Sequence, residues 1–548
     1  MAEVILITGH LETGKTFLAE KLSEEHNYFC FRTSEFILND SVTWRKKNFS
    51  RKQLQNLGSK LDSKSNAKWI YHEISKLIDK GNKRIVVDHI RNFAQLEHFR
   101  NESKWRIIHV HLYAPNKATL KTHFDERTTE EVIEYEDADP IESEEDIKAF
   151  RSDADIRINI ERTDEIDTFI RVASRLRIFS DANYQCVDVL IGGQFGSEGK
   201  GHIAGALSKE YDLIIRVGGP NAGHTVSSKS GVYTYHQLPS GSRDCKAKII
   251  LGPGMTIDKE KLLKEISDCK IGPDRLCIDP QAMLIQPNHI ERETKMRNEI
   301  ASTGSGSGAA AAARILGRTS EPPRLAKDDT DLKQYTVRRP NFAGDAVSEL
   351  EKNYREKKKV LLEGTQGSGL SIFNGQYPHV TSRDTNVSGC LAEVGISPKR
   401  VRRIIMVVRT TPIRVGDPDG GMHSSGELKN ETSFKEIAEK SGLDHKKVTK
   451  AEITSTTKRN RRVGWFDWEL FRRSCMINTP TDIVLTFADY LSIENQKARR
   501  FEQLHEDTIK FIEEIEHVAQ APVSIINTRF LSLSDNSDIR SMIDRRTW

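Results

Sequence analysis

No apolar run in this 548-residue sequence approaches the ~18 residues needed to cross a bilayer, so a membrane-spanning protein is not expected. The start, MAEVILITGHLETGKT, turns into a glycine-rich loop where a secretory leader would continue an apolar stretch, which predicts a cytoplasmic protein. The seven cysteines (Cys30, Cys186, Cys245, Cys269, Cys277, Cys390 and Cys475) are widely spaced and form no CxxC, which argues against a disulfide framework and against a zinc cluster. Any metal is therefore expected on oxygen. Charge of one sign is also missing: 83 Lys and Arg nearly cancel 79 Asp and Glu, without the basic surplus of a dedicated nucleic-acid binder. There is no solenoid repeat. What is present is a globular composition, 37% hydrophobic and 30% charged, in a chain long enough for several domains.

The chain divides near residue 180. EVILIT (3–8), RIVVDHI (84–90), RIIHVHLYA (106–114) and ADIRINI (154–160) read as buried strands alternating with helical segments, the last of them at 163–178. This predicts an α/β domain over 1–178. Between Glu131 and Asp153, ten acids face only Lys148 and Arg151, which reads as a solvated lid or helix face. The segment IFSDANYQ forms a linker or first turn, and a second strand and glycine loop, CVDVLIGGQFGSEGKG, opens a domain over 179–548. Composition alone reads STGSGSGAAAAAR (302–314) as a flexible linker before an Ala-rich helix.

Gly9 to Thr16 (GHLETGKT) satisfies GxxxxGK(S/T) between a strand and a helix. Gly9 and Gly14 let backbone N–H groups face phosphate oxygens, Lys15 adds a point charge, and Thr16 offers a hydroxyl to Mg²⁺. Asp88 lies at the end of the strand at 84–90 and is followed by Arg91, and Lys121 and Arg127 follow Pro115. With these residues the first domain resembles P-loop nucleoside-monophosphate and dephospho-coenzyme-A kinases. That resemblance implies ATP binding and phosphoryl transfer; a regulatory ATP-binding domain is the alternative.

Gly192 to Gly201 (GGQFGSEGKG) follows the strand VDVLI and forms a backbone cradle for an anion, with Lys200 at the helix start. PNAGHT (220–225) follows a second strand and places His224 as a general-acid candidate. LPSG (238–241), GPGMTID (252–258), EGTQG (363–367), YPHVTS (377–382), STTKRNRRVGW (455–465) and LTFADYL (485–491) come after them. In this order and spacing, 184–548 resembles the adenylosuccinate synthetase family, closest to its viral 2-aminoadenylosuccinate branch. The resemblance implies two P-loop-like α/β domains, a kinase-like parallel sheet with helices followed by a synthetase fold.

It also implies a reaction: a nucleoside triphosphate phosphorylates O6 of a purine nucleotide, and the aspartate amine then displaces phosphate. By that resemblance Lys200, His224 and Ser197 occupy catalytic positions. Asn221, Thr303, Gln366 and Thr381 surround the purine nucleotide, with Arg314 or Arg318 lent to a neighbouring subunit, which implies a homodimer. Thr457, Arg459 and Arg461 capture aspartate, as guanidinium forks suit carboxylates. Gly196, Glu198, Gly199, Gly201 and Asp489 contact the triphosphate, and Gly223 and Ser197 lie at Mg²⁺. The Ser/Gly segment becomes the phosphate-contacting loop.

Two departures bear on substrates. Ser197 stands where the family has the Asp that takes the purine N1 proton, and a serine hydroxyl is too weakly acidic to replace it unaided. The viral branch also has Ser there and uses dGMP. A shorter side chain leaves room for the 2-amino group of guanine, so dGMP or GMP is favoured over IMP. Phe487 stands where the family has Lys, and IINTR (525–529) departs from the usual Ser/Gly/Pro pattern, which leaves GTP, ATP and dATP open as donors. The alternatives are an ordinary IMP-using synthetase and a non-catalytic nucleotide sensor.

Overall fold

The computed structural model describes residues 1–9, 13–40, 51–114, 144–161, 163–228, 230–294, 296–320, 322–339, 342–416, 425–453, 459–529 and 541–547. The chain forms two compact units, Met1–Phe179 and Ser180–Trp548. Among the described residues all seven cysteines are free thiols, and no helix is long and apolar enough to cross a membrane.

The first unit is a parallel sheet of β1 (Glu3–Gly9), β2 (Phe29–Phe31), β3 (Arg84–Val87), β4 (Arg106–Tyr113) and β5 (Ile156–Asn159), in spatial order 2-3-1-4-5. β1 is buried along almost its whole length, as its run of apolar residues demands when helices cover both faces. Helices Lys15–His26 and Glu165–Leu176 pack on one face, and Trp69–Asp79 and Phe93–Glu102 on the other. β2 escapes sequence reading because three residues, FCF, carry no periodicity. β3 is regular only to Val87, short of the expected end at residue 90, although the N–H groups of Asp88 and Ile90 still donate to the carbonyls of Phe31 and Ile7; the Asp88 carboxylate accepts the N–H and hydroxyl of Thr33. The acidic stretch is described only from its helix Glu144–Asp153 onward, and Lys121 and Arg127 lie outside the described residues.

The second unit is built on nine strands: β6 (Val187–Gly192), β7 (Leu213–Arg216), β8 (Lys248–Leu251), β9 (Leu276–Ile278), β10 (Val360–Glu363), β11 (Val401–Arg409), β12 (Asp482–Thr486), β13 (Val523–Asn527) and β14 (Met542–Asp544). Their spatial order is 9-8-7-10-6-11-12-13-14, parallel except for the last pair. Chain order reverses around β6, which lies between β10 and β11. A crevice outside the carboxyl ends of the strands is the expected ligand position in such a sheet. Those ends deliver Gly192, Arg216, Glu363, Arg409 and Thr486 to one edge. A hairpin, His224–Ser228 paired with Gly231–Tyr235, follows β7 and lies against the helix Lys200–Leu207.

Leu485 in β12 is fully buried in the core of this sheet. Leu485→Ala is expected to destabilise the second unit by about 2–5 kcal/mol, read as a lower midpoint in urea unfolding followed by circular dichroism. An unchanged midpoint would contradict the placement of β12 in the core.

Candidate functional site

The loop after β6 turns through three left-handed residues, Gly196, Ser197 and Gly199 (φ +91°, +54° and +86°), before the helix begins at Lys200. Its shape is set from inside by Glu198. That carboxylate is fully buried, accepts the N–H groups of Gln194 (3.1 Å) and Gly196 (2.8 Å), and pairs with the Lys200 ammonium. The loop after β10 packs directly against it: a Cβ at Gly367 would fall 2.4 Å from both Gln194 O and Glu198 Oε1. Only glycine permits that approach. Glu198, expected at the triphosphate, is thus an internal anchor of the loop, while the backbone around it and Lys200 face the cavity.

His224 opens the hairpin, and its Nδ1 lies 2.5 Å from Glu363 Oε1 at the end of β10. The same carboxylate accepts the Ser240 hydroxyl (2.6 Å) and the Ser240 N–H (2.6 Å), with Arg216 at 3.7 Å. Burial alone would raise Glu363, but His224 and Arg216 outweigh it and hold the carboxyl down at about 2. Burial, with Arg216 beside it, drives His224 down to about 4 although Glu363 opposes the shift. The neutral imidazole therefore donates from Nδ1 to an ionised Glu363, which leaves Nε2 as a proton acceptor. An acid at this position must first gain a proton.

A second carboxylate, Glu452, is buried between two arginines: Arg409 donates to its Oε1 (2.6 Å) and Arg461 to its Oε2 (2.6 Å), while the Tyr490 hydroxyl donates to Oε1 (2.9 Å). Burial raises Glu452, but the two guanidinium groups outweigh it and hold it at about 2. Arg461 extends its other nitrogen to the Ser197 hydroxyl (3.4 Å), and Arg409 reaches the Ser197 carbonyl (3.4 Å). The Arg409 guanidinium also stacks 3.9 Å above the ring of Phe487, where the family has Lys.

These groups border a cavity of about 1390 Å³. Of the residues expected at the site, Gly196, Ser197, Gly199, Lys200, Gly201, Asn221, Gly223, His224, Thr303, Gln366, Thr381 and Arg461 line it. Gln366, itself left-handed (φ +62°), donates Nε2 to Thr381 Oγ1 (2.8 Å), and its buried Oε1 has no hydrogen-bond partner among the described residues. That acceptor is available to a ligand N–H. The remaining expected residues are placed elsewhere. Asp489 is buried, accepts from Gln496 (3.0 Å) and does not line the cavity. Arg459 is half-buried and Arg318 exposed, both off the lining; Arg314 donates to the carbonyls of Pro253 and Gln281. Thr457 lies outside the described residues. The Ser/Gly segment leads into a helix, Ser307–Leu316, whose first N–H groups are held by Glu293 at 2.6–2.9 Å. Glu363, Glu452 and Arg409 went unrecognised as site residues. EGTQG contains Glu363, yet nothing local marks a partner 139 residues away.

Among the described residues no three His, Cys, Asp or Glu side chains converge on a metal position. In the second unit the groups expected at Mg²⁺ do not by themselves suit a protein-held cation: the Ser197 hydroxyl faces a guanidinium, and Gly223 offers only backbone. A hard divalent cation prefers anionic oxygens.

In the first unit Gly14 (φ +75°) starts the helix that carries Lys15 and Thr16, and Lys15 Nζ donates to Gly9 O (2.6 Å). Thr16 is exposed, so its hydroxyl can meet a ligand. Arg91 is buried; its guanidinium lies over Gly58, where a Cβ would stand 1.2 Å from Nη1.

The family model of adenylosuccinate synthetase matches residues 189–329 and 324–496. The Methanocaldococcus jannaschii adenylosuccinate synthetase is 37% identical over 348 residues, 62% of this chain and 93% of that protein. That of Thermococcus onnurineus is 36% identical over 366 residues, 65% of this chain and 98% of that protein. Among solved structures, the fully ligated Plasmodium falciparum adenylosuccinate synthetase superposes with a TM-score of 0.54 at 25% identity, over 66% of this chain and 100% of that one. The cyanophage S-2L succinoaminodeoxyadenylate synthetase, PurZ, solved with dGMP and with dATP as energy donor, gives 0.53 at 24% identity, over 66% and 96%.

Glu452→Ala leaves two buried guanidinium groups without their counter-charge and is expected to cost about 3–5 kcal/mol. Because Glu363 and Glu452 both sit near 2 against an ordinary 4.5, the stability they contribute is present above 4.5 and lost as pH falls toward 2. Urea midpoints compared at neutral pH and at about pH 3 check this: Glu452→Gln is expected to reduce the acid-induced loss.

Proposed function

The chain belongs to the adenylosuccinate synthetase family, and from that membership we propose that its second unit joins a guanine 5′-monophosphate, dGMP or GMP, to L-aspartate. The energy comes from a triphosphate through a 6-phosphoryl intermediate, and the product is a 2-aminoadenylosuccinate. The observation that carries the choice of guanine is Ser197: the cavity wall beside Arg461 holds a short neutral side chain where a carboxylate would stand. The missing bulk leaves room for an exocyclic 2-amino group. The unpartnered Oε1 of Gln366 supplies an acceptor for a purine N–H.

The other groups follow their chemistry. Lys200 and the amides of the loop stabilise charge on the transferring phosphoryl group. Arg461, with Arg459, takes the carboxylates of aspartate, its fork held by Glu452. Mg²⁺, when bound, would be held chiefly by triphosphate oxygens and would neutralise their charge. A second subunit completes the site, and Arg318 is the better candidate to reach it, since Arg314 is engaged by carbonyls of its own chain. Asp489, held by Gln496 away from the lining, offers little support for GTP over ATP or dATP. The first unit binds ATP at Gly9–Thr16 and phosphorylates a nucleoside monophosphate, with Asp88 and Arg91 beyond the adjacent strand.

The purified chain is expected to release phosphate only when aspartate is present, and to give product by mass spectrometry from dGMP or GMP; product from IMP alone would overturn the guanine reading. Lys15→Ala is expected to abolish conversion of monophosphate to diphosphate and to spare ligation. Undiminished kinase turnover in that variant would refute the role given to the first unit.

A further inference from the structure

We propose that the His224–Glu363 pair takes over the task of the absent carboxylate at position 197, with His224 Nε2 receiving the purine N1 proton during phosphoryl transfer. The inference rests on the ligase reading of the second unit. A ligase of this kind must remove that proton, and Ser197 cannot hold it.

The cavity lining leaves few other bases. Its one carboxylate among the described residues is Glu293, which is committed to the backbone N–H groups of Gly306, Gly308 and Ala309 at the start of the helix Ser307–Leu316. Its histidines there are His202, His224, His236 and His379. His202 is buried with no charged group assisting it, and His236 lies 3.6 Å from Glu265, whose oxygens accept backbone N–H groups of residues 236–238. His224 lies beside the phosphate loop with a carboxylate aligned on its far nitrogen.

That alignment is built into the fold. Glu363 ends β10, and its two oxygens accept three donors, Nδ1–H of His224 and the hydroxyl and N–H of Ser240. A carboxylate so satisfied stays ionised and fixes the tautomer with Nε2 free. Gly201 brings the imidazole up to the loop that carries Ser197: a Cβ on Gly201 would fall 2.5 Å from the His224 Cβ. The charges facing the ring are Glu363, Arg216 and Lys200, so the resting ring is held neutral by burial and by two cations. The phosphates of two incoming nucleotides counter those cations and raise the basicity of the ring when it is needed.

The proton balance closes over the two steps. In the first, O6 attacks the γ-phosphorus and the bond from that phosphorus to the bridging oxygen of the diphosphate breaks. The N1–H bond breaks as well, and its proton goes to Nε2. In the second, the neutral aspartate amine forms the C6–N bond, the C6–O bond breaks, and imidazolium returns its proton to the departing phosphate. The amine proton is then released to water. His224 thus serves as base first and acid afterwards.

The test uses the full chain with dGMP, aspartate and each triphosphate. Absence of ligation by the wild type with every purine monophosphate overturns the ligase function itself, whereas the role of the pair is decided by variants of a wild type that ligates. Glu363→Gln is expected to lower kcat roughly 100-fold, with the KM for nucleotide changed less than about threefold and the ascending limb of kcat/KM against pH displaced. Adding Ser197→Asp to it restores a carboxylate base and is expected to recover at least about tenfold when both variants are assayed with IMP, whose purine edge carries no 2-amino group to meet the longer side chain. A kcat for Glu363→Gln near wild type, or a double variant as slow as the single, overturns the proposal. Should Glu363→Gln fail to fold by circular dichroism, Ser197→Asp in the wild-type background, assayed with IMP, decides: the ascending limb of kcat against pH, which reports the nucleotide-bound enzyme, is expected to move to lower pH than in the wild type, and an unmoved limb overturns the proposal.

Discussion

The site hangs on one buried ion pair. Glu198 and Lys200 are two residues apart, both almost wholly removed from water, and their contact holds the turn between β6 and its helix in a shape the backbone would not keep alone. Two charges withdrawn from solvent are costly unless every remaining lone pair is used. Here the carboxylate also takes two loop N–H groups, and the Thr486 hydroxyl donates to the backbone carbonyl of Glu198, tying the turn to β12. Gly192 and Gly367 then admit the loop after β10 to within contact of the pair. Lys200 can meet a phosphate only because its partner is fixed; the lysine is shared between an internal anchor and the cavity.

The same device, a buried carboxylate that fixes basic side chains, recurs twice around the cavity. Glu363 is flanked by Arg216 and His224, and Glu452 by Arg409 and Arg461. Each carboxylate sits behind one basic side chain that lines the cavity, Glu363 behind the neutral His224 and Glu452 behind the Arg461 guanidinium. Buried carboxylates thus orient guanidinium and imidazole groups toward anionic substrates. A net formal charge of +4 over the whole chain conceals this, because the charges that matter are few and locally paired.

How much of this was legible depends on range. The strands that lead into the two glycine loops were read correctly, since apolar runs are local signals; β1 and β4 match the expected runs closely. The three-residue β2 was not, because so short a run carries no periodicity, and the regular part of β3 ends at Val87 within its apolar run. The Ala-rich stretch reads locally as a linker followed by a helix, and only the ten-residue helix Ser307–Leu316 is regular. The buried carboxylates were illegible for a different reason. Glu363 and Glu452 gain their meaning from partners on other strands and loops, and a single sequence gives no sign of which of its many acids lies under an arginine.

Position 197 joins these constraints. Its backbone is left-handed, a conformation that Asp and Asn tolerate better than Ser because their side chains can bond locally. Replacing Asp by Ser there therefore gives up backbone preference and a counter-charge for Arg461 together. Neither loss is offset by packing, since the side chain faces the cavity. A residue that is poorer for the loop and poorer for charge balance is best explained by what it admits. The vacated space and the Arg461 guanidinium, which shares the Glu452 carboxylate with Arg409, both act on the ligand, the first by accommodating a larger purine edge and the second by favouring the ring in its deprotonated form. On this view substrate choice and the need for a new proton acceptor arise from the same substitution, and the pair at β10 was available to meet the second because its carboxylate already fixed the imidazole.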